Sequence, residues 1–175
     1  MVSQRFGAGD LGGVRRSVAM GGMLSAVFAV LITVVSVAAS RSLLIWMNTP
    51  ENIFADAYAY ITVIYLGIPA TMFYNYLSSV IRALGDSKTP LYFLLVASAL
   101  NIVLDFVFIL NVHMGVAGAA LATILSQGVS GLLCLFYVIK RFPVLHLQKQ
   151  DWRFDRRFAW YHLRLGVPMA IQNSV

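Results

Sequence analysis

Residues 89–111 read TPLYFLLVASALNIVLDFVFILN, twenty-three residues in which the only formal charge is Asp105. A helix rises about 1.5 Å per residue, so about 20 apolar residues cross the roughly 30 Å of hydrocarbon in a bilayer. The run is long enough to span. It lacks the period-2 alternation of a barrel strand, and a lone apolar segment in lipid must satisfy its backbone as a helix. The turn formers of residues 111–118, NVHMGVAG, end it, and a second apolar run over 116–139 follows.

Toward the N-terminus, residues 17–40 are free of charge up to Arg41, and residues 57–81 up to Arg82. Both also exceed the spanning length. Residues 165–175 open another apolar segment, too short at 11 residues to cross. The expected fold is an all-α membrane protein, a polytopic transmembrane helix bundle with four complete spans and a truncated fifth. Composition agrees: the 175 residues are 59% hydrophobic and 11% charged, against about 25% charged in soluble domains. A water-soluble enzyme is excluded, because so few charges could not cover its surface.

Thirteen Lys and Arg against seven Asp and Glu give a net charge of +6. Arg5, Arg15 and Arg16 precede the first span, Arg82 and Lys88 lie between the second and third, and Lys140, Arg141, Lys149, Arg153, Arg156, Arg157 and Arg164 follow the fourth. Alternate connections share a side, so one face holds all the basic residues but Arg41. The positive-inside rule places residues 1–16, 82–88 and 140–164 in the cytoplasm of a plasma (inner) membrane. The excess charge is thereby explained without a nucleic-acid partner. The first residues lack the apolar core of a signal peptide. Residues 140–164 mix Trp152, Phe154, Phe158, Trp160 and Tyr161 with arginines, which suits an amphipathic helix on the bilayer surface; a basic linker is the other reading.

Little here suggests catalysis. Cys134 is the only cysteine, so it can form no intrachain disulfide, and it reads as a packing residue. His113, His146 and His162 fall in separate connections, and neither a phosphate loop nor a nucleophile set is visible. Pro69 interrupts its span and is expected to kink it.

Asp105 is the chemical exception. A carboxylate within a span costs roughly 2.5–3.5 kcal/mol to insert, which makes it a functional hypothesis. It lies about 22 Å along its helix from Pro90, with Asn101 one turn earlier on the same face. The returning helix brings position 105 level with about 121, close to Thr123. Carboxylate, amide and hydroxyl oxygens together suit a small hard cation or a proton; a carboxylate near the outer interface that merely ends a helix is the alternative. Tyr74, Asn75, Ser78 and Ser79 after Pro69, with Ser126 and Gln127, either bond neighbouring helices or line a cavity.

The stretches QRFGAGD at 4–10, YNYLSS at 74–79, RALGDSKTP at 82–90, NIVLD at 101–105 and GAALAT at 118–123, in this order and spacing, resemble the multidrug and toxic compound extrusion (MATE) transporters over essentially the whole chain. The resemblance implies a part of a twelve-helix, two-lobe transporter, from the end of helix two to the start of helix seven, so residues 1–139 belong to the first lobe, 140–164 to the inter-lobe connection and 165–175 to the second lobe. It implies a secondary antiporter that exports organic, often cationic, compounds in exchange for Na⁺ or H⁺, without an organic cofactor. Asp105, Asn101 and Thr123 match the family's first-lobe cation site. Asn75, with Tyr74 and Ser78, matches its drug cavity. The expected partners are the lipid bilayer, small organic cations or drugs, and the remaining helices. Two further readings are a flippase for lipid-linked saccharide or peptidoglycan precursors, disfavoured because no basic residue lies within a span, and an inactive membrane fragment.

Overall fold

The computed structural model describes residues 2–145, 160 and 164. The expected inter-lobe segment falls mostly outside these, although Lys140 and Arg141 close a helix and Trp160 and Arg164 are helical; the expected second-lobe segment, 165–175, lies wholly outside. Among the described residues the secondary structure is entirely helical, and four helical runs are long and apolar enough to cross a membrane. They are Leu11–Trp46, Glu51–Ala83, Thr89–Asn111 and Gly115–Arg141.

A short helix α1 (Val2–Gly7) precedes α2 (Leu11–Trp46). At 36 residues α2 is about 54 Å long, well beyond a bilayer's hydrocarbon. Charge-free residues mark only the part of a helix that must avoid water, and the ends of α2 are set by caps instead. Asp10 accepts a hydrogen bond from Gly13 N at 2.8 Å and pairs with Arg5 at 3.5 Å. At the other end Asn48 takes a left-handed φ of 52°; its N–H bonds Ile45 O, and Thr49 N bonds Leu44 O. That pair of hydrogen bonds is the Schellman closure, which satisfies two of the last carbonyls.

The second run is divided into α3 (Glu51–Leu66) and α4 (Ile68–Ala83) at Gly67. Pro69 stands in the first turn of α4. Lacking an N–H, it can offer Tyr65 O no helical hydrogen bond. The glycine at the break has a packing reason: a Cβ on Gly67 would run into the Ile124 side chain. At its far end α4 stops at Gly85, whose φ of +97° closes another Schellman pair, Gly85 N to Arg82 O and Asp86 N to Ile81 O.

The third run comprises α5 (Thr89–Phe106) and a π-turn at Val107–Asn111. The apolar run alone predicts a single continuous helix there, and the widened turn departs from it. The last is α6 (Gly115–Arg141), with a 3₁₀ turn at Pro143–Leu145 after it. Helix α6 is central, packing against α3, α4 and α5. Small side chains allow this: Gly131 lies under the Phe73 ring and Tyr74 N, and Gly118 against Phe108 and Met114.

The dense core sits at the basic end of the bundle. Val14, Val18, Tyr74, Leu77, Ile81, Cys134 and Val138 are buried together from α2, α4 and α6. Toward the other end α2 exposes Val27, Val30, Val34 and Val35, each by 59% or more. Such exposure suits lipid or further helices, and would be untenable in water.

Candidate functional site: the α5–α6 polar cluster

Helix α5 buries one stripe and exposes the rest. Asn101, Leu104, Asp105 and Phe108, spaced i, i+3, i+4 and i+7, are partly covered, whereas Ile102, Val103 and Phe106 are exposed. Ala97, one turn before Asn101, is buried on the same stripe. Because α6 packs alongside α5, the two polar residues lie on the helix's covered face.

There Asn101 Nδ2 donates to Thr123 Oγ1 at 3.5 Å, and the Thr123 hydroxyl donates in turn to Ala119 O at 3.0 Å. The direction of this chain matters chemically. Spending its N–H on Thr123 leaves Asn101 Oδ1 as an acceptor, and the threonine oxygen keeps lone-pair capacity. One turn further along α5, Asp105 Oδ1 is buried with no hydrogen-bond partner. An unpaired buried carboxylate oxygen is costly and calls for a counter-charge or a proton.

The structure thus joins Asn101 to Thr123 by a hydrogen bond and sets Asp105 one helical turn away. The π-turn begins two residues beyond Asp105, with Val112 N bonding Val107 O and Met114 N bonding Phe108 O. Widened turns of this kind occur often at functional sites. Sequence reasoning missed it, since no residue in VFILN distinguishes a π-turn from an ordinary one. Thr62 Oγ1 in α3 and Gln127 Oε1 in α6 are likewise buried and unpartnered. Gln127 was visible as a polar residue in an apolar run; Thr62, a lone threonine in α3, carried no such signal.

The other expected residues are divided. Tyr74 is buried and its hydroxyl donates to Pro90 O at 3.1 Å, fastening α4 to the start of α5. Ser78, one turn on, is buried with an unpartnered hydroxyl, whereas Asn75 is exposed. Among the described residues no group of three or more His, Cys, Asp or Glu side chains is placed to hold a metal ion. Oxygen donors of mixed type, with a single carboxylate, would suit a monovalent cation or a proton.

The chain as a whole is similar to known proteins. The chain is 39% identical over 186 residues to a probable multidrug resistance protein, YpnP, of Bacillus subtilis (strain 168), covering 100% of this chain and 39% of that protein. It is 32% identical over 183 residues to a probable multidrug resistance protein, NorM, of Thermotoga maritima, covering 99% and 38%. Among solved structures, the inward-facing conformation of a multidrug resistance MATE family transporter of the MOP superfamily superposes with a TM-score of 0.87 at 30% identity, over 95% of this chain and 38% of that one. The chain spans about two fifths of the length of these relatives, of which the solved structure is a transporter. The MatE family model matches residues 1–107, more than half of the sequence, and the chain belongs to that family.

Proposed function

We propose that this chain supplies first-lobe helices of a secondary active multidrug efflux antiporter, exporting organic, often cationic, compounds in exchange for Na⁺ or H⁺. The observation that carries the reading is the buried, unpartnered Asp105 Oδ1 one turn from the Asn101–Thr123 hydrogen bond. The names of the relatives support drug export; the carboxylate supports cation coupling.

In this mechanism Asp105 takes the inward-moving ion, with Asn101 Oδ1 and Thr123 Oγ1 as neutral ligands. Occupancy neutralises the buried charge and stabilises one packing of α5 against α6. An ion that prefers one packing shifts the population toward it by its differential affinity. Drug affinity falls in that packing, which is the reciprocal coupling an antiporter needs. The π-turn beyond Asp105 is a place where such repacking could be absorbed. Asn75, exposed on α4 beside the buried Tyr74 and Ser78, faces the drug, and the lobes rock about a cavity near the midplane. Residues 1–16, 82–88 and 140–164 lie on the cytoplasmic side of the plasma membrane in this reading.

The test is Asp105→Asn in the complete gene product, reconstituted in vesicles with imposed Na⁺ and proton gradients. Export of a fluorescent organic cation should lose its dependence on either gradient. Export that keeps the wild-type gradient dependence overturns the assignment. The gradient that drives the wild type identifies the coupling ion.

A further inference from the structure

The loop between α4 and α5 and the end of α6 enclose a cleft of about 500 Å³ at the basic end of the bundle. Its walls include Ser87, Lys88 and Arg141, with Asp86, Tyr137 and the Phe142 ring. The efflux mechanism does not employ it, and the core meets it only through Leu84, Tyr137 and Phe142.

The cleft is built on a held loop. Asp86 Oδ1 accepts hydrogen bonds from Lys88 N at 3.1 Å and Thr89 N at 3.0 Å, and Asp86 Oδ2 accepts one from the Tyr137 hydroxyl at 2.6 Å. Both carboxylate oxygens are therefore committed to the protein. The cations are not: Lys88 and Arg141 are exposed and make no ion pair with any described residue. Two cations against one committed carboxylate leave a net positive wall, with the Ser87 hydroxyl beside it.

An anion with several acceptor oxygens, such as a phosphate, matches the ammonium, guanidinium and hydroxyl carried by residues that line this one cleft. The surroundings distinguish a lipid phosphate from a free one. Immediately beyond Lys88 and Pro90, α5 exposes Leu91 by 56% and Tyr92 by 61%, and Leu95 by 59% one turn further. Polar cleft and apolar helix surface are thus continuous within one turn, in the order headgroup, interfacial aromatic, acyl chain. Basic pockets between transmembrane helices on the cytoplasmic side are recurrent anionic-headgroup sites.

We propose that this cleft binds an anionic phospholipid, its phosphate between Lys88 and Arg141 and its acyl chains along α5. Binding there fastens the α4–α5 loop and the end of α6 to the inner leaflet.

The complete gene product, purified and delipidated, is offered phosphatidylglycerol or phosphatidylcholine at equal concentration, and retained lipid is counted by native mass spectrometry. The wild type should retain phosphatidylglycerol preferentially. Lys88→Gln and Arg141→Gln should each weaken that retention about fivefold, and together about 25-fold. Lys88→Arg with Arg141→Lys, which keeps both charges, should preserve it, and Arg41→Gln at the opposite end should leave it unchanged. Equal retention of the two lipids, or undiminished retention in both single neutral variants, overturns the proposal. Displacement of phosphatidylglycerol by equimolar glycerol phosphate would show that the cleft recognises free phosphate and overturn the lipid assignment. No drug or ion gradient is present, so the outcome is independent of whether the efflux mechanism holds.

Discussion

The Tyr137 hydroxyl donates to Asp86 Oδ2 at 2.6 Å, tying the loop that opens α5 to the end of α6 across 51 residues. The Tyr137 ring is itself held edge-on between Phe93 and Phe142, with centroids 5.9 and 6.0 Å away. Tyr137→Phe keeps this aromatic packing and deletes only the hydroxyl. A hydrogen bond to a charged group contributes roughly 1.5–3 kcal/mol when buried, and water discounts it at a partly exposed site. The expected loss is about 1 kcal/mol, read as a lower thermal midpoint in detergent; an unchanged midpoint would mean that the bond adds nothing.

The same contact gives a pH dependence. Hydrogen bonds from the Thr89 side chain, from Tyr137 and from backbone N–H groups pull the Asp86 carboxyl from its ordinary 3.8 down to about 2. A carboxylate held below its unfolded value adds stability that is complete above the unfolded pKa and disappears as pH falls through the folded one. Wild type should therefore be more stable than Asp86→Asn by a constant margin above about pH 4, and the margin should narrow toward pH 2. Parallel thermal melts across this range test it, and a margin that stays constant down to about pH 2 would contradict it.

Helices α2 and α4 meet at an aromatic ring lying on glycines. The Tyr76 hydroxyl donates to Val18 O while its ring covers Gly21 and Gly22. A Cβ on Gly21 would sit 3.1 Å from the hydroxyl oxygen and 3.2 Å from a ring carbon, so the extra methyls of Gly21→Val cannot fit without displacing the ring. Overpacking of this kind costs about 1–3 kcal/mol. Tyr76→Phe removes only an interhelical hydrogen bond, which averages about 0.6 kcal/mol in membrane bundles. The glycine variant should be the more damaging of the two in a detergent melt, and the reverse order would place the stabilisation in the hydroxyl.

These contacts show where sequence reading succeeds and where it stops. Apolar length revealed four spanning runs because hydrocarbon thickness imposes it. It did not reveal that α2 extends from Leu11 to Trp46, since the Asp10 and Asn48 caps act beyond the charge-free window. Asp86 was legible only as part of the RALGDSKTP stretch at 82–90. Its bond to Tyr137 was not, because no local period carries a pairing over 51 residues. At the site, an antiparallel turn near residue 113 placed position 105 level with about 121. The Asn101–Thr123 bond centres the pair on 112, within a residue of that turn. Helical rise and a turn suffice for such a register, whereas the π-turn at Val107–Asn111 depends on how α6 packs back onto α5 through Gly118.

Gly67 offers a test by paired substitution. The Cβ of Gly67→Ala would occupy the space of the Ile124 side chain, close to its Cγ1 and Cδ1. The variant should lose about 1–3 kcal/mol. Ile124→Ala alone should also destabilise, by leaving space beside Gly67. If the two share one volume, the double variant should be more stable than the sum of the single losses, by roughly 0.5–3 kcal/mol in a double-mutant cycle. Additive losses would show that the two side chains do not compete for one volume.

Thr123 distinguishes a cation ligand from a helix-packing hydroxyl. Its Oγ1 receives Asn101 Nδ2 at 3.5 Å, a long and therefore weak bond, and donates to Ala119 O within α6 at 3.0 Å, where the backbone is already helical. Thr123→Val keeps shape and branching but deletes the oxygen, and its effect on folding should be under about 1 kcal/mol because Thr123 is exposed. An effect on coupling would have another origin: loss of one neutral ligand from an ion held mainly by Asp105. One hydrogen-bond-sized interaction, about 1 kcal/mol, corresponds to about fivefold in ion affinity. In the complete gene product the ion concentration for half-maximal drug export should rise about fivefold in Thr123→Val and return to wild type in Thr123→Ser. The thermal midpoint should barely move in either. A lowered midpoint with unchanged ion dependence would assign Thr123 to packing, and leave Asp105 to bind the ion without it.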